Sequence, residues 1–542
     1  MSPVSSFLMR SLRLVLPAVL AGGAILAFGS SASDDGRPSS APSPPHPPVV
    51  ERETQADRPP AAMRSRPPRR PNAILVILDE MTGDALLDEQ GRIDPGRYPN
   101  LAALAGDATW FRNAYSVYDS TTKAVPLILD GMRPRPGMSP DRRDHPRSIF
   151  DMFARRGYRL VASEEATAMC PPSLCRGGRT RRPAILPNLG HGRPARFKRF
   201  IRSIRPGRRP TFWMTHALLP HGPYLYLPSG TRTRRGARDL LPGMLTVPGF
   251  HDAFLTRHNE QRYLLQIGFV DRLLGRLVRR LKRLGMYDDT LIAVTADHGI
   301  AWQVGVSTRR RVSSSNVEEL TPVPFVVKAP GQRRGRVSGA YARTLDMAPT
   351  IADVLGFRLG YRADGQSALS RAVRRRRTVR LTTRDFSATV RISGRKWEAR
   401  RRRVVRRRLR QLGSGDWASL YTGIGPNRSL IGRPVGQLER TPVAPGRARI
   451  AIGRAFRHVR RSAGIVPAQI AGDLSGRGGV KRDIAVAVNG TIEAVGRSFY
   501  LAGDPTEHYA VMVPEAALHE GRNEIEVLEV APTGTLRVLA RS

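Results

Sequence analysis

The chain has 542 residues, of which 40% are hydrophobic and 6% aromatic. That is too long for one small module, points to two to four structural units, and carries enough apolar material for a sizeable core, which excludes disorder throughout. Lys and Arg outnumber Asp and Glu by 89 to 45, a formal net charge of +44, yet only six of the basic residues are Lys. An excess of positive charge attracts anionic polymers and lipids, but so uneven a use of Arg is also what codon bias leaves everywhere in a chain. With no nucleic-acid module visible, nucleic acid is excluded as a partner.

At the N-terminus, Arg10 and Arg13 precede the apolar run Leu14 to Phe28, and small residues follow to Ala32. This is the pattern of an export signal. The run is shorter than the ~20 residues that span a bilayer, although extension to Ala32 approaches that length. A cleaved signal and an uncleaved anchor both fit residues 1–32. Residues 33–70 are rich in Pro, Ser and Arg and read as an extended stalk, which serves an anchored domain better than a secreted one. The protein is expected outside the cytoplasm, tethered to the membrane by its N-terminal segment. Cys170 and Cys175, the only cysteines, read as a disulfide in such a compartment.

From Pro71 the pattern becomes that of a packed domain. Asn72 to Asp79 is an uninterrupted apolar run, as expected of a strand buried on both faces, and similar runs recur at Thr211 to Met214, Thr290 to Asp297 and Pro322 to Pro330. Between the second and third of these runs, apolar residues at helical spacing predict a helix from about Glu260 to Leu284. Strands alternating with helices predict an α/β fold, a mostly parallel sheet sandwiched by helices, over residues 71–375. Residues 376–440 are extremely basic and read as a β or linker segment completing that domain, with the tract Arg371 to Arg410 placed on the surface. Residues 441–542 read as a β-sandwich-like domain, in which Asn489-Gly490 between two alternating runs marks a two-residue hairpin turn.

In such a sheet, ligands bind beyond the carboxyl ends of the strands. Asp79 and Glu80 end the first strand, and Asp297 and His298 end the strand after the long helix. A carboxylate from one strand end and an Asp-His pair from another form a plausible site for a divalent metal, Zn²⁺, Mn²⁺ or Ca²⁺. Taken singly, each is equally readable as a cap or turn residue.

Taken in order, PNAILVILDE, YPNLAALAGDATWFRNAYS, STTKAVPLILDG, THALLPHGPY, DDTLIAVTADHG, EELTPVPFVVKAPG and LDMAPTIADVLG closely resemble the sulfatase branch of the alkaline phosphatase superfamily. The resemblance implies that Asp79, Asp297 and His298 hold a metal, with Glu80 where many sulfatases have a further metal-binding aspartate. Sulfatases carry Cys-x-Pro-x-Arg or Ser-x-Pro-x-Arg ten residues before a glycine and convert the Cys or Ser to formylglycine. Ten residues before Gly131 stands Thr121, and the proline and arginine of that signature are not in register. The segment is similar instead to the threonine segment of phosphoethanolamine transferases, and lipoteichoic acid synthases likewise use threonine. Thr121 is then the nucleophile, activated by the metal, with Thr122 the alternative; Ser120, Thr121 and Thr122 also suit a helix cap. His216 and His221 lie in the segment resembling the Pro-His-x-Pro of sulfatases, where a histidine faces the ester and can serve the leaving oxygen. Arg309, Arg310 and Arg311 follow the Asp-His-Gly segment, where relatives place a basic substrate contact.

The expected function is an exported, metal-dependent hydrolase or transferase acting on phosphate esters or phosphodiesters of an envelope lipid or glycan through Thr121. The alternatives are a sulfuric ester hydrolase working without formylglycine and a non-catalytic scaffold that grips envelope glycans.

Overall fold

The computed structural model describes residues 70–175, 185–234, 251–305, 310–441, 446–476, 478–501 and 503–541. They fall in one compact unit, Gln55–Ser542. The expected export segment, most of the stalk and Arg309 lie outside them. Among the described residues, no helix is long and apolar enough to cross a membrane.

The core is a seven-stranded sheet built from β1 (Asn72–Asp79), β2 (Thr109–Phe111), β3 (Arg159–Glu164), β4 (Thr211–Pro220), β5 (Thr290–Ala296), β6 (Phe325–Lys328) and β7 (Arg336–Ser338), in the order β3-β4-β1-β5-β6-β2-β7. β3, β4, β1 and β5 run parallel, and β6 runs antiparallel between β5 and β2. The sheet is therefore mixed, with the four consecutive strands β3, β4, β1 and β5 parallel. Ala73 to Leu78 have no exposure at all, because helices cover both faces. β2 and β7 have only three residues each, and β3 is a half-exposed edge strand, so none of the three shows as an apolar run.

Two differences from the sequence reading bear on the site. First, β4 does not stop at Met214 but continues to Pro220, so His216 lies within the strand, opposite Ile77 of β1. The pairing then slips: Leu78 faces Ala217, but Asp79 faces Pro220. The extra β4 residues carry His221 to the sheet edge beside Asp79. Second, the long helix starts earlier, spanning Ala253–Arg283, where Asp252 caps it by accepting the Leu255 N–H at 2.8 Å.

The basic segment is neither a linker nor wholly on the surface. After a short hairpin (Thr378–Thr382 with Thr389–Ser393) it forms a 19-residue helix, Gly394–Leu412. Arg401 and Arg408 on this helix are only 7% and 5% exposed. The Arg401 guanidinium donates to both carboxylate oxygens of Asp84 and to Asn113, while Arg408 donates to the carbonyls of Asp84 and Leu87. Arg376 likewise pairs with the fully buried Asp346. The expectation of a solvated tract fails here because these arginines meet acids and carbonyls distant in sequence.

Beyond it lie two five-stranded sheets. One runs Arg440–Thr441, Leu536–Val538, Ile525–Val530, Asp483–Val488, Thr491–Arg497; the other runs Phe499–Leu501, Asp504–Met512, Gln469–Leu474, Arg447–Ile450, Ala540–Arg541. Ile484, Val486 and Val488 pack toward the main core, and the alternate Ala485 and Ala487 pack under Leu430 and Val435. Asn489 (φ 51°) and Gly490 (φ 83°) make the hairpin turn between paired strands.

Candidate active site

The carboxyl ends of β1 and β5 bring Asp79, Asp297 and His298 together. One ligand atom from each lies within 4.8 Å of the others, and all three residues are fully buried. Asp297 Oδ1 accepts the N–H groups of Glu80 (3.0 Å) and His298 (2.7 Å). Its Oδ2, like Asp79 Oδ2, has no hydrogen-bond partner. Buried carboxylate oxygens are rarely left so. Burial, reinforced by the negative charges of Asp297 and Glu80, raises the Asp79 pKa well above its ordinary value. His298 Nδ1 lies 2.9 Å from the Gly299 carbonyl. A carbonyl only accepts, so the ring proton sits on Nδ1 and the Nε2 lone pair is left for the centre. Gly299 is required at this turn, because a Cβ there would stand 2.7 Å from Thr82 Oγ1 and 3.0 Å from two backbone carbonyls.

Thr121 opens the helix Thr121–Asp130. Its Oγ1 lies 3.4 Å from Asp79 Oδ1 and 3.4 Å from His298 Nε2. It is 5% exposed, so only a narrow approach reaches it. Thr122 is turned away, with its hydroxyl 3.2 Å from that of Ser120, which leaves Thr121 as the residue at the centre. Ser120 occupies the cap position, yet its side chain makes no cap bond. The amino end of this helix therefore keeps unsatisfied N–H groups beside Thr121, a local field that favours an anionic group.

Glu80 sits apart from the three-residue cluster. Its backbone adopts φ 61°, a conformation that costs a non-glycine residue roughly 1 kcal/mol or more. Tyr263 of the long helix holds it there, donating to the Glu80 carbonyl and accepting the Thr82 N–H, both at 2.8 Å. The Glu80 carboxylate meets Arg310 Nε at 3.0 Å and His221 Nε2 at 3.9 Å. Arg310 Nη1 also lies 3.2 Å from His221 Nε2. His221 Nδ1 is 2.6 Å from the Gly222 carbonyl, so Nδ1 carries the proton and Nε2 accepts from the arginine. Here His221 orients Arg310. Arg311 lies outward, 3.9 Å from Asp385.

His216 is fully buried, and neither ring nitrogen has a hydrogen-bond partner. Burial lowers its pKa to about 4, opposed by Asp297, so the ring is neutral. Two further residues organise the rim. Asp119 accepts the N–H groups of Val312 and Arg384, tying the loop of Arg310 to the hairpin tip at Phe386. Arg193, 1% exposed, donates to the carbonyls of Leu218, His221 and Pro223 and locks the turn that presents His221. Neither lies in a segment that signals a site; Arg193 is one arginine among many, and Asp119 shows itself only by standing two residues before Thr121. Cys170 and Cys175 are joined as a disulfide near the end of β3.

The sulfatase family profile matches residues 71–357, just over half of the chain. The chain belongs to the sulfatase family, a family of metal-dependent hydrolases. Over 115 residues it is 35% identical to the multifunctional alkaline phosphatase superfamily protein PehA of Trinickia caryophylli, covering 21% of this chain and 22% of that protein. It is 29% identical over 168 residues to the extracellular sulfatase SULF-1 homolog of Drosophila melanogaster (30% and 15%), and 30% identical over 104 residues to the lipoteichoic acid synthase of Staphylococcus saprophyticus (17% and 15%). The chain thus aligns with less than a quarter of each of these three relatives. Among solved structures, the phosphonate monoester hydrolase of Silicibacter pomeroyi aligns over 57% of this chain and 79% of its own, at 22% identity and a TM-score of 0.40.

Proposed function

We propose that this sulfatase-family chain is an exported enzyme that cleaves phosphate esters or phosphodiesters of the cell envelope with Thr121 as nucleophile. The observation that carries the reading is the Thr121 hydroxyl, 3.4 Å from both Asp79 and His298 at the amino end of a helix. A threonine here rules out the formylglycine route, because oxidation of a secondary alcohol gives a ketone and not an aldehyde.

The donor set fits a divalent metal. Two buried carboxylates each keep an unpartnered oxygen, and an imidazole whose Nδ1 faces the Gly299 carbonyl turns Nε2 to the centre. Asp79, Asp297 and His298 would hold it; Glu80, engaged by Arg310, takes no place in that set. A divalent cation bound there acidifies a neighbouring hydroxyl and offsets the charge of the ester. The protein's own part follows from the contacts. Thr121 Oγ1 donates to Asp79 Oδ1, which receives the hydroxyl proton as the new O–P bond forms and the bond to the leaving oxygen breaks. The Arg310 guanidinium, fixed by Glu80 and His221, binds the non-bridging oxygens and stabilises the charge that develops on them. Solvent protonates the leaving alkoxide. Water or a sugar hydroxyl then attacks phosphorus and gives its proton to solvent, the bond from Thr121 to phosphorus breaks, and Asp79 returns its proton to the Thr121 oxygen.

Parallel assays of the full chain on an aryl phosphate, a bis-aryl phosphodiester and an aryl sulfate test the reading. Turnover of a phosphorus ester, with a phosphoryl adduct on the Thr121 peptide by mass spectrometry, is the expected result. Turnover of the sulfate alone would replace it with the sulfatase alternative.

A further inference from the structure

Away from Thr121, a cleft of about 550 Å³ opens between the arginine helix Gly394–Leu412, the loop Asp84 to Gly91 and the pair Arg112-Asn113. Its size falls in the range of sites that enclose a small molecule or one to two sugar units, roughly 300–1,000 Å³. Leu87, Val405 and Leu409 give it an apolar floor.

The charges around this floor are not equivalent. Asp84 is consumed by Arg401, Asp88 by Arg92, and Glu398 by Asn113, Tyr341 and Arg402. Arg112, Arg406 and Arg410 line the same cleft and are exposed. Among the described residues no carboxylate lies within ion-pair distance of any of these three guanidinium groups. Arg406 and Arg410 are four residues apart on one helix face, about 6 Å along its axis. Glu89 is the one acid of the lining without an ion pair, so the unpaired charge of the cleft is net positive.

We infer that this cleft is a binding site for a sulfo- or phospho-substituted saccharide unit of an anionic glycan. The arginines would take the anionic group by charge-assisted hydrogen bonds, and the apolar floor would take the carbon face of the sugar. A lipid head group in a bilayer fits less well, because a concave cleft is reached by a ligand that enters it and not by a flat surface. The inference extends the proposed function, since a second anchoring point suits an enzyme whose ester sits on a charged polymer. The loop that leaves Glu80 continues directly into the cleft wall at Asp84.

The test is binding of a fluorescein-labelled dextran sulfate oligosaccharide to the full chain, read by anisotropy, beside turnover of a small aryl ester. The double variant Arg406→Gln, Arg410→Gln should weaken binding about tenfold at low salt, with the difference shrinking as salt is added. Leu409→Trp, which fills the floor and leaves charge unchanged, should weaken it as well. Arg395→Gln with Arg403→Gln removes equal charge from exposed positions of the same helix outside the cleft and should change binding less than twofold. Uncharged dextran should not bind, small-ester turnover should stay the same in every variant, and binding to phosphatidylglycerol vesicles should not separate the Arg406 and Arg410 variant from the control. Equal loss in both arginine pairs would reduce the site to bulk charge and overturn the inference; so would unchanged binding in the cleft variants, or a loss confined to vesicles. Because binding and turnover are read separately, an inactive protein that binds through the cleft refutes only the proposed chemistry.

Discussion

Two buried charge clusters lie five residues apart on the same loop, and they are finished in opposite ways. At Asp79 the carboxylates are crowded together, with an oxygen on each of Asp79 and Asp297 and both nitrogens of His216 lacking hydrogen-bond partners. At Asp84 the carboxylate accepts three bonds from Arg401, which also reaches Asn113 and the Arg112 carbonyl. The second cluster is electrostatically complete within the protein; the first needs something the polypeptide does not supply. Unpartnered polar atoms at equal burial thus set the end of the loop that is left open to a ligand apart from the end whose bonds are complete.

The sharpest way to break this contrast is at Thr121. Thr121→Ala should lower turnover at least about a thousandfold, as loss of an attacking group does, while metal content by elemental analysis stays unchanged; full activity would dissolve the assignment. Next in size, Arg401→Met should destabilise the fold by about 3–5 kcal/mol, because it strands a buried carboxylate. Denaturant unfolding reads this, and a loss below about 1 kcal/mol would mean that Asp84 is not truly buried.

Asp271 sharpens the comparison from between the two extremes. It accepts three donors, from Asn100 and Leu101, yet burial still raises its pKa to about 6. A carboxyl whose folded pKa exceeds its unfolded value binds more protons when folded, so its contribution should grow as pH falls through 6 toward the unfolded value near ~4. Asp271→Asn should abolish that part of the slope in unfolding free energy between pH 7 and 5, and an unaltered slope would refute it. The smallest effect belongs to Asp79→Asn. In metal-free protein, removing one of several crowded carboxylates should leave stability unchanged or raise it by about 1 kcal/mol, whereas the shift in Tm on adding metal should vanish.

The sequence announces the incomplete cluster far better than the complete one. Asp79, Asp297 and His298 stand out because each closes an uninterrupted apolar strand, and Thr121 emerges from counting back from Gly131. Arg310 is hidden in a run of arginines, and only Glu80 and His221 in space single it out. Arg401 is harder still, since a string of arginines reads as a solvated face unless its partner, 317 residues earlier, is known. Likewise β4 hides its last six residues, because the continuation past Met214 carries a threonine and a histidine that an apolar run does not predict.

The Arg401–Asp84 contact also bears on how the chain can be made and cut. During synthesis Asp84 emerges long before its cation, so the loop beyond Asp79 cannot settle until the helix through Leu412 has left the ribosome. The family-matched stretch ends at residue 357, and a fragment trimmed there keeps Asp79, Thr121, Asp297, His298 and Arg310 but lacks the counter-ion of the loop that positions them. Such a fragment should be recovered as aggregate; extension through Leu412 restores the counter-ion but still lacks Leu420, Ile470 and Val486 of the main core.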